Sequence, residues 1–354
     1  MILLFLASFV LILIVIGYDI SLRFLKKHPI DKKSSTPEIS VIIPTFNEEK
    51  NIVKKLNNLF GCDYPKRKMK VYVVDSSTDK TPELAKKFPI KLIRCNKRGK
   101  ILAINKGLRE CKTDIVILTD ADITLRKDSL KQIIKKLHGK VGAVSGLVVS
   151  REPKLFFGKS KKEYQIRDWK IRWREGLVDT CCSLDGKFIA FRKSLLRKIP
   201  EDAFTDDFEM TFLLRKMGYR CVVAKDSIVY EIPPSSLKNE INRASRMIGL
   251  SILTTFRHVE MFFNPKYGWF GCLIFPFRRF LNFFLPLILL FIFVYIFIFY
   301  NYMLVYLFLL TAGIFLLALK HTLYYSILLI ALLKAWVDIL IGKFERGAIW
   351  SKSA

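Results

Sequence analysis

The chain has 354 residues, of which 51% are hydrophobic and 25% charged, and its net charge is +28. This length accommodates one globular domain of about 200 to 250 residues together with hydrophobic segments. A strongly positive charge is typical of nucleic-acid binding or of a surface that lies against an anionic membrane. Because apolar stretches occur at both ends and no nucleic-acid motif is present, the composition favours the membrane surface and argues against a nucleic-acid partner.

The seven cysteines contain no C-x-x-C pair and no spacing typical of a zinc site. We interpret them as reduced, buried thiols of a cytoplasmic domain. The four histidines are scattered, and no two of them form a ligand cluster. The sequence therefore argues against a disulfide framework and against a zinc centre.

The first 20 residues predict an N-terminal transmembrane anchor. Residues 2–16 hold no charge, and the stretch reaches the length of a span when Tyr18 and Ile20 contribute. A basic linker, residues 21–37, follows the anchor. Because basic flanks remain in the cytoplasm, we expect the N-terminus to point outward and the following domain to be cytoplasmic.

The C-terminal part is also apolar. Residues 236–280 interleave aromatic residues with arginine and lysine, which is typical of amphipathic helices at a membrane interface. Residues 281–342 predict two or three transmembrane segments. The number stays open because the last of them contains Lys334 and Asp338, which are costly at the bilayer centre. Residues 343–354 form a basic tail.

Residues 38–235 alternate apolar β-rich runs with helical patterns. The runs that predict strands are 39–43, 70–74, 90–93, 115–119 and 141–149. Between them, apolar residues recur with helical spacing, and the same holds for Met210, Leu213, Leu214 and Met217 further on. Continuous apolar strands alternating with helices indicate an α/β domain whose mainly parallel sheet is covered on both faces. Such sheets bind ligands at the carboxyl ends of their strands.

Polar residues follow the first two predicted strands at these ends. Each group alone is typical of a capped helix start or a turn. Together they place a carboxylate and hydroxyl groups at neighbouring strand tips, where they can bind a nucleobase and a ribose. The residues concerned are Pro44, Thr45, Asn47, Glu48, Asp75 and Ser77.

Two carboxylates follow the fourth predicted strand, in the run Thr119-Asp120-Ala121-Asp122. Acids this close together repel each other unless a cation lies between them. Carboxylate oxygens suit Mg²⁺ or Mn²⁺, and these metals in turn bind a diphosphate. Most such runs are surface turns, but the position after a buried strand favours a divalent-metal site at Asp120 and Asp122.

Four blocks of sequence follow one another along this domain: VIIPTFNEE at 41–49, DSSTD at 75–79, the run 96–107, and TDAD at 119–122. In this order they resemble the family 2 glycosyltransferases of the GT-A fold, and the resemblance covers about residues 39–250. It implies that Asp75 contacts the nucleobase, that Asp120 lies near the ribose and that Asp122 binds the metal. It also implies donor contacts from Gly99, Lys100, Asn105 and Ala121.

The block Thr205-Asp206-Asp207-Phe208-Glu209-Met210 resembles the T-E-D-x-D-L block of that family. The second acid of this block is the general base of inverting transfer, which implies that role for Asp207. Asp206 stands where the family has Glu, and Glu209 stands where it has Asp. The plainer interpretation is that these acids stabilise the N-terminus of a helix.

Further residues resemble the acceptor side of the family. Gly186 lies in a run, 182–192, that is similar to the acceptor-side strand. Arg243 and Arg246 lie in a segment that resembles the Q-x-x-R-W element of processive polysaccharide synthases, with Met247 in place of Trp. This departure argues against processivity, and a basic face beside the membrane is the other interpretation of the two arginines.

The sequence therefore predicts a metal-dependent, inverting hexosyltransferase. We expect it to move a sugar from GDP-mannose or a UDP-hexose to a lipid-linked acceptor at the cytoplasmic face of the cell membrane, with Mg²⁺ or Mn²⁺ as cofactor. One alternative is a polyprenyl- or dolichyl-phosphate sugar synthase, and another is a small processive polysaccharide synthase. A catalytically inactive scaffold that binds nucleotide sugars is a third alternative.

Overall fold

The computed structural model describes residues 17–29, 35–151, 156–231, 236–299 and 322–344. Most of the predicted N-terminal anchor lies outside these residues, and a short helix at 17–24 (α1) is its described part. Residues 300–321, in the middle of the predicted transmembrane region 281–342, and most of the basic tail also lie outside the described residues.

An eight-stranded sheet forms the centre of the described structure. Its spatial order is β3-β2-β1-β4-β7-β6-β8-β5. Four of its seven pairings are parallel, which confirms the predicted α/β class with a mainly parallel sheet. The strands are β1 (Ile39–Thr45), β2 (Met69–Asp75), β3 (Lys91–Arg94), β4 (Ile115–Thr119), β5 (Ile123–Leu125), β6 (Val141–Ser150), β7 (Phe188–Arg192) and β8 (Arg220–Glu231).

Helices cover both faces of this sheet. Those in the α/β domain are α2 (Ile52–Phe60), α3 (Thr81–Ala85), α4 (Lys100–Glu110), α5 (Ser129–Ile134), α6 (Gly158–Val178) and α7 (Asp206–Lys216). Three long helices follow along the chain: α8 (Leu237–Arg257), α9 (270–299) and α10 (Thr322–Leu340). Two π-helical turns, Phe270–Ile274 and Phe280–Phe284, form part of α9.

The strands are buried because both of their faces are apolar. In β1, Val41 and Ile43 pack on the side of α2 and α3, whereas Ile42 points to the opposite side, where α4 and α7 pack. All three side chains are fully buried, and such burial stabilises a fold by about 1.5–3 kcal/mol per side chain. Neighbouring residues of β1 therefore pack against helices on opposite faces of the sheet. A strand that is covered on both faces is apolar at consecutive positions.

Three features of the domain differ from the sequence prediction. Strands β5 and β8 were not among the predicted runs. In β8, the polar residues 225–227 interrupt the apolar pattern, and its pairing with β6 shifts register at the same place. Met217, which was grouped by helical spacing with Met210, Leu213 and Leu214, is 47% exposed. All seven cysteines are free thiols, and five of them are buried, but Cys95 and Cys272 are partly exposed.

Two described helices are long and apolar enough to cross a membrane, Phe270–Ile292 and Leu323–Leu340, by length and composition. The first begins eleven residues before the predicted boundary at 281, inside the segment predicted to be interfacial. In α10, Asp338 accepts hydrogen bonds from Lys334 at 2.5 Å and from Ser245 on α8 at 3.4 Å. The two charged residues of this segment therefore compensate each other.

Candidate active site

The carboxyl ends of β1 and β2 form one wall of the candidate site. Asp75 ends β2 and is fully buried. Its Oδ1 accepts hydrogen bonds from Thr45 Oγ1 at 2.8 Å and from Ser77 Oγ at 2.5 Å. Its Oδ2 accepts the Ser77 N–H at 3.2 Å and forms an ion pair with Arg94. These four contacts hold the carboxylate in one orientation.

Asn47 joins this wall to the loop after β2. Its φ of 55° lies in the left-handed region, which asparagine tolerates better than most residues. Its N–H donates to Ser77 Oγ at 2.7 Å, and its side-chain oxygen accepts the Thr78 N–H at 3.0 Å. The structure thus brings together the predicted donor-side residues Pro44, Thr45, Asn47, Glu48, Asp75 and Ser77.

Lys100 connects the donor side of the site with the acceptor side. It is the first residue of α4, directly after Gly99. Its Nζ lies 3.0 Å from Asp120 Oδ1 and 3.2 Å from Asp206 Oδ2, and it donates to the Gly186 carbonyl at 3.2 Å. Burial alone lowers the pKa of a lysine, but the charges of Asp120 and Asp206 outweigh it and raise the Lys100 pKa. The ammonium is therefore fixed and charged.

A group of carboxylates lies after β4. Asp122 is exposed, but the protein around it displaces part of its hydration water. This loss of water and the charge of Asp120 raise the pKa of Asp122. Burial raises the pKa of Glu48 to about 7, and the charges of Asp122, Asp120 and Asp79 act in the same direction. Loss of water and the repulsion between these acids both disfavour the charged carboxylates, and a bound cation would relieve both effects.

Lys55 lies beneath the turn that carries these acids. Its ammonium is fully buried and donates to Thr119 Oγ1 at 2.6 Å and to the Ile123 carbonyl at 3.3 Å. Burial lowers the pKa of Lys55 to about 7, although the charges of Asp120 and Asp122 oppose this shift. Lys55 thus hydrogen-bonds to the residues on both sides of the turn. The sequence pattern did not predict this role.

The turn after β4, residues 120–122, is called the acid turn here, and its two carboxylates have the chemistry of metal ligands. Within the described ranges, no group of three or more His, Cys, Asp or Glu side chains is placed to hold a metal ion. Asp120 and Asp122 offer the hard oxygen ligands that Mg²⁺ and Mn²⁺ prefer. Magnesium sites of this kind use one or two carboxylates together with substrate phosphates, so the residues present fit a metal that is completed by a donor diphosphate.

Two further cations, Lys187 and Arg243, are held by Glu231 at the end of β8. Glu231 is 3% exposed, and its Oε2 pairs with Lys187 and with Arg243 at 3.0 Å. The charges of Lys187 and Arg243 outweigh the burial of Glu231 and lower its pKa. The charges of both residues also oppose the rise in the Asp122 pKa.

Asp207 lies in the first turn of α7 and faces the loop before β7. Its Oδ2 accepts the Gly186 N–H at 3.1 Å, and its Oδ1 accepts the Phe208 N–H at 2.9 Å. A Cβ at position 186 would lie 3.2 Å from Asp207 Oδ2, so glycine permits this close approach. Burial and the charge of Asp206 raise the pKa of Asp207 to about 7, although Lys100 opposes the shift.

Two predicted site residues are placed differently. Asn105 is buried in α4, and its amide group donates to the Ile199 carbonyl at 2.7 Å and accepts the Ile199 N–H at 2.8 Å. It therefore holds a neighbouring loop and does not join the cluster around Lys100. Arg246 is partly buried, and within the described part of the chain it has neither an ion pair nor a hydrogen bond.

The motif order and this geometry agree with a comparison against protein families. Residues 40–200 match the model of glycosyl transferase family 2. The chain carries a glycosyltransferase family 2 domain. That domain contains the donor wall, Lys100 and the acid turn, whereas Asp207 and Glu231 lie in the residues that follow it.

Curated relatives resemble this glycosyltransferase domain over part of their length. A dolichyl N-acetyl-α-D-glucosaminyl phosphate 3-β-D-2,3-diacetamido-2,3-dideoxy-β-D-glucuronosyltransferase of Methanococcus voltae is 38% identical over 31% of this chain and 39% of its own length. A poly-β-1,6-N-acetyl-D-glucosamine synthase of Staphylococcus aureus is 26% identical over 60% of this chain and 54% of its own length. The chain thus spans at most about half the length of these two relatives.

A solved structure resembles almost the whole chain. It is the mannosyltransferase PcManGT of Pyrobaculum calidifontis in complex with GDP-Man and Mn²⁺, with 27% identity and a TM-score of 0.77. The similarity covers 97% of this chain and 98% of that one. It confirms the GT-A type of fold that the sequence motifs implied.

The two ion pairs of Glu231 allow a prediction about its role. Replacing Glu231 by Gln keeps a polar side chain for its neighbours but leaves Lys187 and Arg243 without their shared negative partner. Removing one member of a buried ion pair costs about 3–5 kcal/mol. We therefore expect a clearly lower free energy of unfolding, measured by denaturant titration in detergent, together with weaker binding of a nucleoside diphosphate.

A matched control is available on the protein surface. Glu38 is 61% exposed, and its carboxylate lies 3.9 Å from the ammonium of Lys70. Exposed ion pairs contribute about 0–1 kcal/mol. Glu38→Gln should therefore change neither stability nor diphosphate binding beyond that range. Equal effects of the two substitutions would contradict the role assigned to Glu231.

Proposed function

We propose that the protein is an inverting, metal-dependent hexosyltransferase that uses a nucleotide-diphosphate sugar, either GDP-mannose or a UDP-hexose, and a lipid-linked acceptor. The observation that carries the proposal is the position of Lys100, which pairs with Asp120 on the donor side and with Asp206 beside Asp207. A donor whose diphosphate lies at Asp120 would therefore present its sugar toward Asp206 and Asp207. The similarity to a mannosyltransferase that binds GDP-Man and Mn²⁺ supports the donor class.

In the proposed reaction, the wall of Asp75, Thr45 and Asn47 binds the nucleoside. Asp120 and Asp122 would hold Mg²⁺ or Mn²⁺, which supplies charge stabilisation for the departing diphosphate. Lys187 and Arg243, which Glu231 holds, oppose the rise in the Asp122 pKa and would compensate the same negative charge. These groups are fixed before the reaction, as electrostatic stabilisation of a leaving group requires.

Asp207 is the proposed general base. An acceptor hydroxyl that attacks the anomeric carbon must lose its proton, and a base with a pKa near the working pH takes it most effectively. Burial and the charge of Asp206 bring the pKa of Asp207 to about 7. Gly186 keeps the carboxylate aimed at the acceptor side through its N–H. Asp207 therefore has the position and the proton affinity that inverting transfer needs.

The acceptor is proposed to be a lipid-linked molecule at the cytoplasmic face of the cell membrane. Two long apolar helices adjoin the domain, the net charge is +28, and the basic stretch from Arg23 to Lys33 favours a cytoplasmic domain. A relative that is named for a dolichyl-phosphate-linked acceptor supports the acceptor class. The multi-pass arrangement stays a prediction from hydropathy.

Two other acceptors are alternatives. A lipid phosphate would attack without losing a proton, so its reaction would not need Asp207. A growing polysaccharide is supported by the relative that is named as a poly-N-acetylglucosamine synthase. Met247 argues against this acceptor. It is 51% exposed and stands where the Q-x-x-R-W element of processive polysaccharide synthases has tryptophan. The lipid-linked acceptor with a reacting hydroxyl remains the first proposal.

A panel of donors tests the proposal. The intact protein in detergent is incubated with GDP-mannose, UDP-glucose and UDP-N-acetylglucosamine, each with extracted membrane lipids and Mn²⁺. The expected result is transfer of one sugar from one donor into the lipid fraction. A water-soluble polymer as the product would support the processive alternative. Release of nucleotide with no transfer to any lipid would contradict the lipid-linked acceptor.

A further inference from the structure

Arg279, in α9, is a buried arginine without a carboxylate partner among the described residues. It is 3% exposed. Its Nη2 donates to the Cys182 carbonyl at 3.5 Å, and its Nε has no hydrogen-bond partner. The preceding residue, Arg278, pairs with Asp168 and lies 3.5 Å from Glu175. Burial of an unpaired charge is costly, so Arg279 requires another source of compensation.

Aromatic rings provide part of that compensation. The Arg279 guanidinium lies 4.3 Å from the ring centre of Phe208 and 5.5 Å from that of Phe283. Cation–π contacts of this kind contribute about 0.5–2 kcal/mol, which is less than the cost of a buried charge. Phe208 directly follows Asp207, so the unpaired guanidinium lies under the proposed reaction site. An anionic group is the missing partner.

An apolar groove lies between α8 and α9, and Phe283 is one of the rings in its wall. It consists of two adjoining cavities of about 160 and 250 Å³ that share Phe262 and Phe284. Phe283, which contacts Arg279, lines the smaller cavity. Ten of the eleven lining residues are apolar, and Phe263 and Phe256 at its side are 68% and 53% exposed. We call this feature the α8–α9 groove.

The groove is also joined to the start of α7. Thr255 lines the smaller cavity, and the adjacent Thr254 forms a hydrogen bond of 3.3 Å with Thr205. Thr205 precedes Asp206 and Asp207. Thr254 and Thr205 therefore link the wall of the groove to the start of α7, and Arg279 contacts Phe283, one of the rings that line the groove.

We propose that Arg279 and the α8–α9 groove form the binding site for the lipid acceptor, with a phosphate of the lipid at Arg279 and its hydrocarbon chain along the groove. The fork of an arginine matches a phosphate with two parallel hydrogen bonds. The aromatic walls match an unbranched or isoprenoid chain, which gains free energy from each buried CH₂ group. This inference rests on the proposed function, and it assigns the place where the acceptor binds.

The test measures lipid binding directly. Intact protein in detergent is incubated with a photoreactive isoprenyl phosphate, irradiated and digested, and the labelled peptides are identified by mass spectrometry. We expect labels within residues 252–284. A matched isoprenyl alcohol should label weakly, and excess inorganic phosphate should not protect, because phosphate alone lacks the chain. Labels confined to other regions would overturn the proposal. This result is also expected if another part of the chain fills the groove.

Two variants separate the head-group from the chain. Arg279→Met keeps an extended apolar side chain among the rings but removes the charge, and we expect about 10- to 100-fold weaker labelling by the phosphate, because charge-assisted hydrogen bonds are lost. Phe263→Ala should weaken labelling by a long-chain phosphate more than by a short-chain one. Phe24→Ala is the control, since Phe24 is 85% exposed and lies outside the groove.

Binding of a nucleoside diphosphate to each variant provides the check on folding and should stay unchanged. Unaltered labelling of a correctly folded Arg279→Met protein contradicts the proposal. If the wild-type protein binds isoprenyl phosphate in the groove but transfers no sugar to any lipid, the proposed function is wrong and the binding site stands. If it transfers sugar to lipids while Arg279→Met leaves the acceptor KM unchanged, only this inference is wrong.

Discussion

Replacing Asp207 by Asn is expected to lower the transfer rate by about 10²- to 10⁴-fold, the usual contribution of a positioned base. Asparagine has nearly the same size and keeps an oxygen that can accept the Gly186 N–H, but it cannot take a proton. Donor affinity should therefore remain near the wild-type value. A lower kcat with unchanged donor binding would show that the carboxylate acts mainly in the transition state.

The pH dependence of the reaction gives a second measurement of the same role. A general base acts when it is deprotonated, so kcat/KM should rise with pH up to about 7, the pKa to which burial and Asp206 raise Asp207, and then level off. In Asp207→Asn this rise should disappear. Glu48 titrates in the same range, so Glu48→Gln is examined in parallel and should keep the rise if Asp207 causes it.

Asp202→Asn is the matched control for this substitution. Asp202 lies on the same loop before α7, is 53% exposed and pairs with Arg257. It is outside the site, so its amide variant should transfer sugar at the wild-type rate. Near-full transfer by Asp207→Asn would mean that Asp207 is not the base, and it would favour the lipid-phosphate acceptor. Loss of donor binding in that variant would instead show that Asp207 supports the donor site.

The sequence predicted the parts of the site that lie at strand ends. Asp75 and Asp122 were identified because continuous apolar runs mark the strands, and the ends of neighbouring parallel strands lie together. The motif order added Lys100 and Asp207, which no hydrophobic pattern indicates. The structure brings Lys100 close to Asp120 and Asp206. For Asp75 and Asp122 the local pattern determines the position.

The residues that support the site from below were not predicted, for a physical reason. Lys55 reaches Thr119 across 64 positions of sequence, and Glu231 reaches Lys187 across 44. A lysine on a helix is normally solvated, and only the packing of α2 against the sheet buries Lys55. Asn105 gives the opposite case, because it stands in a matching motif yet bonds the backbone of Ile199. Long-range contacts decide such roles, and periodicity does not reveal them.

Removal of divalent metal is expected to abolish transfer, with a loss of about 10²-fold or more, because metal stabilisation of a leaving diphosphate is worth several kcal/mol. Activity should return with Mn²⁺ or Mg²⁺. Asp122→Asn removes one of the two candidate ligands and its repulsion with Asp120. This variant should need a higher metal concentration for half-maximal rate, whereas Asp114→Asn, at the opposite end of β4, should not.

The number of ligands makes this prediction more specific. The described residues offer two carboxylates in the acid turn and no third acidic, histidine or cysteine ligand grouped with them. A metal held by Asp120 and Asp122 therefore needs phosphate oxygens to complete its coordination. We expect Mn²⁺ binding, followed by its electron paramagnetic resonance signal, to be at least about tenfold tighter when a nucleoside diphosphate is present, a coupling of typical size between two ligands. By linkage, the metal must tighten the nucleoside diphosphate by the same factor. Equal Mn²⁺ affinity with and without the nucleotide, or full turnover in chelator, would remove the metal from the mechanism and leave the diphosphate to Lys187 and Arg243 alone.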